Sequence, residues 1–246
     1  MIRIIQVLIF LFPLIAISQV DAAALKEAIS YYKTEEYKSA VIAFKKLEKN
    51  GYASDDLYYN LASSYFKQDR LAEAVLYYNK ALKLNPRHSP SKKNLVIVND
   101  LRASDISPIP DFFLQQWWKV FYNFMSSTFW VMLCLLSLAG SLYFFYRWLF
   151  TASKFKSISS CCILFGVAML FFLAARSSYN DRYNNLYLVN IEAATIHSGP
   201  NEKSNEVLQI IPGEKLKVMD KLGEWYQVSL INKEQGWLNA NGVKEI

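Results

Sequence analysis

Histidine and cysteine are scarce: the 246-residue chain holds two of the first and three of the second. The cysteines, Cys134, Cys161 and Cys162, all fall within strongly apolar stretches. The remaining sequence has no thiol, so its domains must hold together by burial rather than by disulfides. Adjacent Cys161 and Cys162 lack the spacing of a metal site. His88 stands beside a helix-ending proline and His197 in a strand-to-turn segment. Neither has a second histidine or a cysteine outside the apolar stretches with which to build a metal site or a catalytic triad. Also missing are a glycine-rich phosphate loop, the zinc-protease helix motif and the nucleophile elbow. The acid pairs Glu35-Glu36 and Asp55-Asp56 fall at turns or helix starts, where carboxylates suit the helix dipole. No enzymatic activity, cofactor or metal is expected. The net charge of +6 is modest, and basic residues alternate with acids, as in Lys33, Glu35, Glu36, Lys38 and in Lys45, Lys46, Glu48, Lys49. That is the solvated face of helices and argues against nucleic acid as a partner.

Apolar and aromatic side chains are abundant, at 53% and 15% of residues, and concentrate between residues 112 and 175. An earlier apolar run, residues 4–17, follows Arg3, contains Pro13 and ends near Ala16 and Ser18. It is shorter than the roughly 20 residues of a spanning helix and reads as a signal peptide, residues 1–18, cleaved before Gln19. The alternative is an uncleaved N-terminal anchor. A lipid-anchored signal has no cysteine to use. Residues 104–127 combine a proline-containing linker with an aromatic segment, including Phe112, Phe113, Trp117, Trp118, Phe121 and Tyr122, expected to lie at the lipid headgroup level as an interfacial helix. Residues 128–146 and 157–175 carry no charge and suffice to span a bilayer. The intervening loop, residues 147–156, holds Arg147, Lys154 and Lys156 without an acid, which places it in the cytoplasm. The parts before and after the spans then lie together on the outer side of the cytoplasmic membrane. With no acidic, histidine, lysine or arginine side chain inside either span, an ion or proton path has no candidate residue.

The region before the spans repeats itself. Ala28 and Ala62, Tyr31 and Tyr65, Ala40 and Ala74, Phe44 and Tyr78 are each separated by 34 residues. This period, with Tyr58-Tyr59-Asn60-Leu61-Ala62 followed by Leu71, Ala81-Leu82 and Pro86, resembles the tetratricopeptide repeat. Residues 19–103 are expected to form an all-α domain with a degenerate repeat at 21–54, a full repeat at 55–88 and a capping helix at 89–102. Such arrays line their concave face with the first helix of each pair, here Tyr32 and Lys33, then Tyr59, Ser63, Phe66 and Lys67. These six are the candidate partner-binding residues. The family's carboxylate clamp is mostly missing, with Asn60 alone matching. The face either grips a peptide or packs against the chain's own linker or membrane-proximal segment.

Beyond a linker at 176–188 the apolar period switches to two, with Leu216 and Val218 in one run and Tyr226, Val228 and Leu230 in another. Gly199-Pro200, Pro212-Gly213, Gly223-Glu224-Trp225 and Gly236-Trp237 punctuate these strands in an order that resembles the bacterial SH3 domain over residues 189–246. The landmarks are Gly199, Pro200, Gly213, Trp225, Gly236 and Trp237; His197 departs from that family's usual arginine. The resemblance implies a small SH3-like β-barrel that binds cell-wall peptides or protein partners.

The whole order, signal peptide, repeats, two transmembrane helices and SH3 domain, together with Trp117-Trp118, resembles the BatE family of the bacterial aerotolerance operon. That resemblance implies an inner-membrane component working with other membrane proteins of the operon, including von Willebrand factor A-domain proteins and a MoxR-type ATPase. The expected function is a protein-protein interaction scaffold in contact with membrane lipid. The alternative is a cell-wall sensor or tether that binds peptidoglycan.

Overall fold

A computed structural model describes residues 22–102, 104, 106–107, 109–110, 112–150 and 154–246. The signal peptide read at residues 1–18 lies outside the described residues.

Five helices form the N-terminal part: α1 (Ala22–Lys33), α2 (Tyr37–Lys49), α3 (Asp55–Phe66), α4 (Leu71–Leu84) and α5 (Ser89–Arg102). Their pairing follows from small residues at the contacts. Ala28, Ala40, Ala62 and Ala74 are completely buried, and Phe44 and Tyr78 fill the space beside them. The turn within each pair passes through a left-handed residue, Glu35 in the first and Asp69 in the second. Ser54 caps α3 by accepting from the Leu57 amide at 3.0 Å, with Asp55 and Asp56 in the first turn beside the positive end of the helix. His88 serves the start of α5: its Nδ1 accepts from the Ser91 amide at 3.2 Å, and its ring lies 5.3 Å from that of Tyr59.

Three further helices follow: α6 (Phe113–Asn123), α7 (Ser127–Phe150) and α8 (Lys154–Tyr179), with a π-helical turn at Asn180–Asn184. Helices α7 and α8 are long and apolar enough to cross a membrane. Their apolar side chains point outward, with Leu136 73% and Ile163 63% exposed, surface that water does not tolerate in such quantity. They pack closely at Gly140, where an added Cβ would lie 3.1 Å from Leu164, and at Ser141, whose hydroxyl donates to the Cys161 carbonyl at 3.0 Å. Helix α6 is fastened to both. The Trp130 indole N–H donates to the Tyr122 carbonyl at 3.0 Å, and that of Trp118 donates to the Ser177 hydroxyl at 3.1 Å. Two sequence expectations need correction. Residues 147–150 and 154–156, read as loop, belong to the helices, and much of the linker read at 176–188 is helical through Asn184. Charge ends a membrane-compatible window, but neither stretch contains the proline or glycine that would end the helix.

The C-terminal part is one seven-stranded antiparallel sheet of order β3-β2-β6-β5-β4-β1-β7. Its strands are β1 (Tyr187–Asn190), β2 (Ala194–His197), β3 (Glu206–Ile210), β4 (Lys215–Leu222), β5 (Trp225–Ser229), β6 (Gln235–Asn239) and β7 (Val243–Glu245). The alternating residues Leu216 on β4, and Tyr226 and Val228 on β5, meet Leu188, Ile196, Ile210, Leu230 and Leu238 in its interior. The fold class is thus a helical repeat region, two helices able to span a membrane, and an SH3-like sheet.

Charge ties the two helix pairs together. Glu48 of α2 accepts from Lys45 at 2.7 Å and from Lys80 of α4 at 3.0 Å, and the Tyr77 hydroxyl also donates to it at 3.2 Å. Burial pushes the Glu48 carboxyl up, but the two lysines outweigh it and hold it below the ordinary carboxylate range. A lowered pKa contributes stability that is present above the unfolded value and lost as pH falls through the folded one. Glu48→Gln is therefore expected to destabilise the chain by about 1 kcal/mol at neutral pH, and the difference from wild type should shrink as the pH falls below the ordinary carboxylate range. Thermal unfolding of both forms across this range checks it; a difference independent of pH would contradict the ion-pair account.

Candidate functional site

The candidate residues of the repeats divide by depth. Tyr32 and Tyr59 are half-buried: Tyr32 meets Tyr37 edge-on at 5.6 Å, and Tyr59 lies 5.9 Å from Tyr78. Burial, then the neighbouring phenols Tyr59 and Tyr37, push Tyr32 above the ordinary tyrosine range. Phe66 is half-buried against the repeat core, whereas Lys33 and Lys67 are exposed at the ends of α1 and α3. Ser63 is buried, its hydroxyl 3.0 Å from that of Tyr78, which in turn accepts from Asn94 at 2.9 Å. It therefore orders the interior and offers nothing to a partner. What remains at the surface is an aromatic strip, Tyr32, Tyr59 and Phe66, flanked by two cations.

The landmarks of the sheet also separate. Trp225 lines a hollow of about 310 Å³ with His197, Glu202 and Asn239. The His197 and Trp225 rings meet edge-on at 5.7 Å, and His197 Nδ1 lies 3.2 Å from the Ser204 carbonyl, the geometry of an N–H donating to it. Gly199 and Pro200 follow in the turn beside this wall, which Ser204 closes by donating to the Gly199 carbonyl at 2.9 Å. Gly236 lets β6 approach β2: an added Cβ would lie 2.7 Å from the His197 carbonyl oxygen. Trp237 pairs with His197 across that contact and is half-exposed. An aromatic side, a carboxylate and amides give the hollow the means to hold a peptide by stacking and hydrogen bonds.

Gly213 lies elsewhere, at a junction with the repeats. Its φ of 90° is the left-handed value that the second central residue of a type II turn requires, and an added Cβ would stand 2.6 Å from Arg102 Nε and 3.1 Å from the Ala72 Cα. Arg102, the last residue of α5, reaches into this turn. Its Nε donates to the Pro212 carbonyl at 2.8 Å and its Nη2 to Glu214 at 2.8 Å, with the two charged side chains only 5% and 8% exposed. Ser104 donates to the same carboxylate. Beside them Val189 of β1 and Ile246 enter the core of the repeats, and the Lys83 ammonium donates to the Ile246 carbonyl at 2.6 Å. The sheet is thus docked on α4 and α5. Sequence reasoning missed Arg102 and Glu214, whose spacing carries no local signal.

Compared with known families, residues 56–88, which span α3 and α4, match the Tetratricopeptide repeat family. Residues 192–244 match the family described as Bacterial SH3 domain. Among curated proteins no match was found. Both families support an interaction or cell-wall-binding module, and both are generally without catalysis.

Removing one partner of a buried ion pair strands the other. Arg102→Ala should therefore lower stability by about 3–5 kcal/mol, while the double replacement Arg102→Met with Glu214→Met should cost much less. Thermal unfolding of the detergent-solubilised chain measures both; equal losses in single and double variants would contradict a coupled buried pair.

Proposed function

We propose that the chain is a membrane-anchored scaffold for protein-protein interactions, its repeats holding one partner and its SH3 domain another. The observation that carries this reading is the junction at Arg102 and Glu214. Two modules of binding families are locked to each other while their aromatic strip and their hollow remain accessible. Tyr32, Lys33, Tyr59, Phe66 and Lys67 are the residues assigned to the first partner, and the two lysines suit an acidic segment. Modules in direct contact must share one side of a membrane, which agrees with two crossings. The basic residues Arg147, Lys154 and Lys156 between the crossings argue that this side is the extracytoplasmic one. In that arrangement the chain is a BatE-like inner-membrane component. Its partners are other aerotolerance-operon membrane proteins, including von Willebrand factor A-domain proteins acting with a MoxR-type ATPase, and the process served is envelope-stress tolerance.

A second reading is favoured by the hollow at His197 and Trp225: the SH3 domain grips peptidoglycan and the chain is a cell-wall sensor or tether. Sedimentation of the full-length chain with insoluble peptidoglycan separates the two, since absence of Trp225-dependent retention removes the tether.

Reporter fusions after residues 103 and 246 should read as exported, and a fusion after residue 152 as cytoplasmic. A photocrosslinker at Lys67 should trap an operon membrane protein in intact cells. Any other fusion pattern sinks the topology, and crosslinks to the chain itself alone sink the scaffold.

A further inference from the structure

Where the repeats, α6, the π-helical turn and the sheet converge, they enclose a cleft of about 1060 Å³, at the upper end of the range for small-molecule sites. Its charge is one-sided. Lys83 of α4, Lys119 of α6, Arg182 of the π-helical turn, Lys215 and Lys217 of β4, and Lys233 line it, against Asp181 as the one acidic side chain among the described lining residues.

Elsewhere the buried or half-buried cations find carboxylates. Lys80 pairs with Glu48 and Arg102 with Glu214. For Arg182, Lys215 and Lys217 no carboxylate lies within 4 Å among the described residues, whereas Lys83 donates to the Ile246 main-chain oxygen at 2.6 Å. The Arg182 Nε is buried without a hydrogen-bond partner among them, although an arginine nitrogen in such a place ordinarily has one. The Lys215 ammonium stands 4.5 Å over the Tyr187 ring. Lys215 is exposed, yet the protein mass around the cleft pushes its ammonium below the ordinary range, opposed by Asp181 and reinforced by Lys83. Like charges assembled in a partly enclosed space call for an anion.

Position says which anion. Arg182 follows the last residue of α8, Tyr179, by less than one helical turn, and Tyr122 and Lys119 come from the aromatic helix just ahead of α7. With α7 and α8 in a bilayer, the cleft sits at headgroup depth. The exposed apolar flank of α6, where Trp117 is 72% and Val120 71% exposed, continues from it. A phosphate that arrives on acyl chains meets cations and apolar surface together, whereas a free phosphate would use only the first.

We propose that this cleft binds the phosphate headgroup of an anionic membrane lipid, with Arg182, Lys215 and Lys217 as its principal contacts and the acyl chains lying along α6. The proposal rests on α7 and α8 crossing a membrane and on no protein partner.

Full-length chain in neutral detergent, titrated with phosphatidylglycerol or phosphatidylcholine and read by native mass spectrometry, tests it. Wild type should retain phosphatidylglycerol in preference, by about fivefold per contributing cation. The triple variant Arg182→Gln, Lys215→Gln, Lys217→Gln should lose about a hundredfold of that preference, while Lys92→Gln with Lys93→Gln, on the exposed side of α5, should keep it. Arg182→Gln alone, outside the sheet, keeps the test decisive if the triple variant unfolds. Equal retention of the two lipids, or a preference that survives Arg182→Gln, overturns the proposal. So does displacement of the lipid by equimolar glycerol phosphate, which would assign the cleft to a soluble phosphate. Extraction of wild type from cell membranes by alkaline carbonate would overturn the membrane reading and the proposal with it; resistance to carbonate without lipid preference overturns the proposal alone.

Discussion

A stack of two helix pairs and one further helix leaves apolar flank that it cannot bury by itself, because repeats of this kind share their core with neighbours on both sides. The rest of this structure depends on how that flank is covered. The cover comes from the far end of the chain: Val189 and Ile246 lie in the same apolar cluster as Leu57, Leu61 and Tyr78, and Tyr187 and Ile191 pack against it. The sheet replaces the missing repeat. Everything between, including both long apolar helices, must then be routed so that the sheet returns to α4.

The junction is fixed in orientation by charge. Apolar contact alone is non-directional. Arg102 adds direction by donating to a backbone carbonyl and to Glu214, with a third bond to Asn99 Oδ1 at 3.1 Å. Buried ion pairs contribute little net stability compared with apolar replacements. What this one contributes is a single way of seating the turn at Gly213, whose backbone comes too close to α4 and Arg102 for any side chain to intervene.

The fold class was legible in the sequence because each part carries its own periodicity. Alanines spaced for close helix contact, charge-free runs and alternating strand residues are local signals, and they reappear as buried Ala28, Ala62 and Ala74, as α7 and α8, and as the interior of the sheet. Depth was less legible. Ser63 falls on the helix face expected to meet a partner, but the tyrosine hydroxyl above it gives a buried serine a bond and draws it inside. Helix ends were misjudged after residues 146 and 175, since charge marks the limit of the lipid and not of the helix. The docking of sheet on repeats was not legible at all: Arg102 and Glu214 resemble any solvated charges until the fold makes them neighbours.

The two indole bonds of α6 bear on how partners are found. Trp118 holds the aromatic helix to α8 and Trp130 holds it to α7, the two indoles joined through Phe121 in one cluster, and α6 leads directly into α7. With α7 and α8 crossing a membrane, as proposed above, the repeats and sheet would stand at a set height above the bilayer plane rather than swing on a tether. For any protein embedded in the same bilayer, encounter becomes a search over an area instead of a volume, with the contact surfaces already level. Even a weak surface then meets its partner at a high effective concentration.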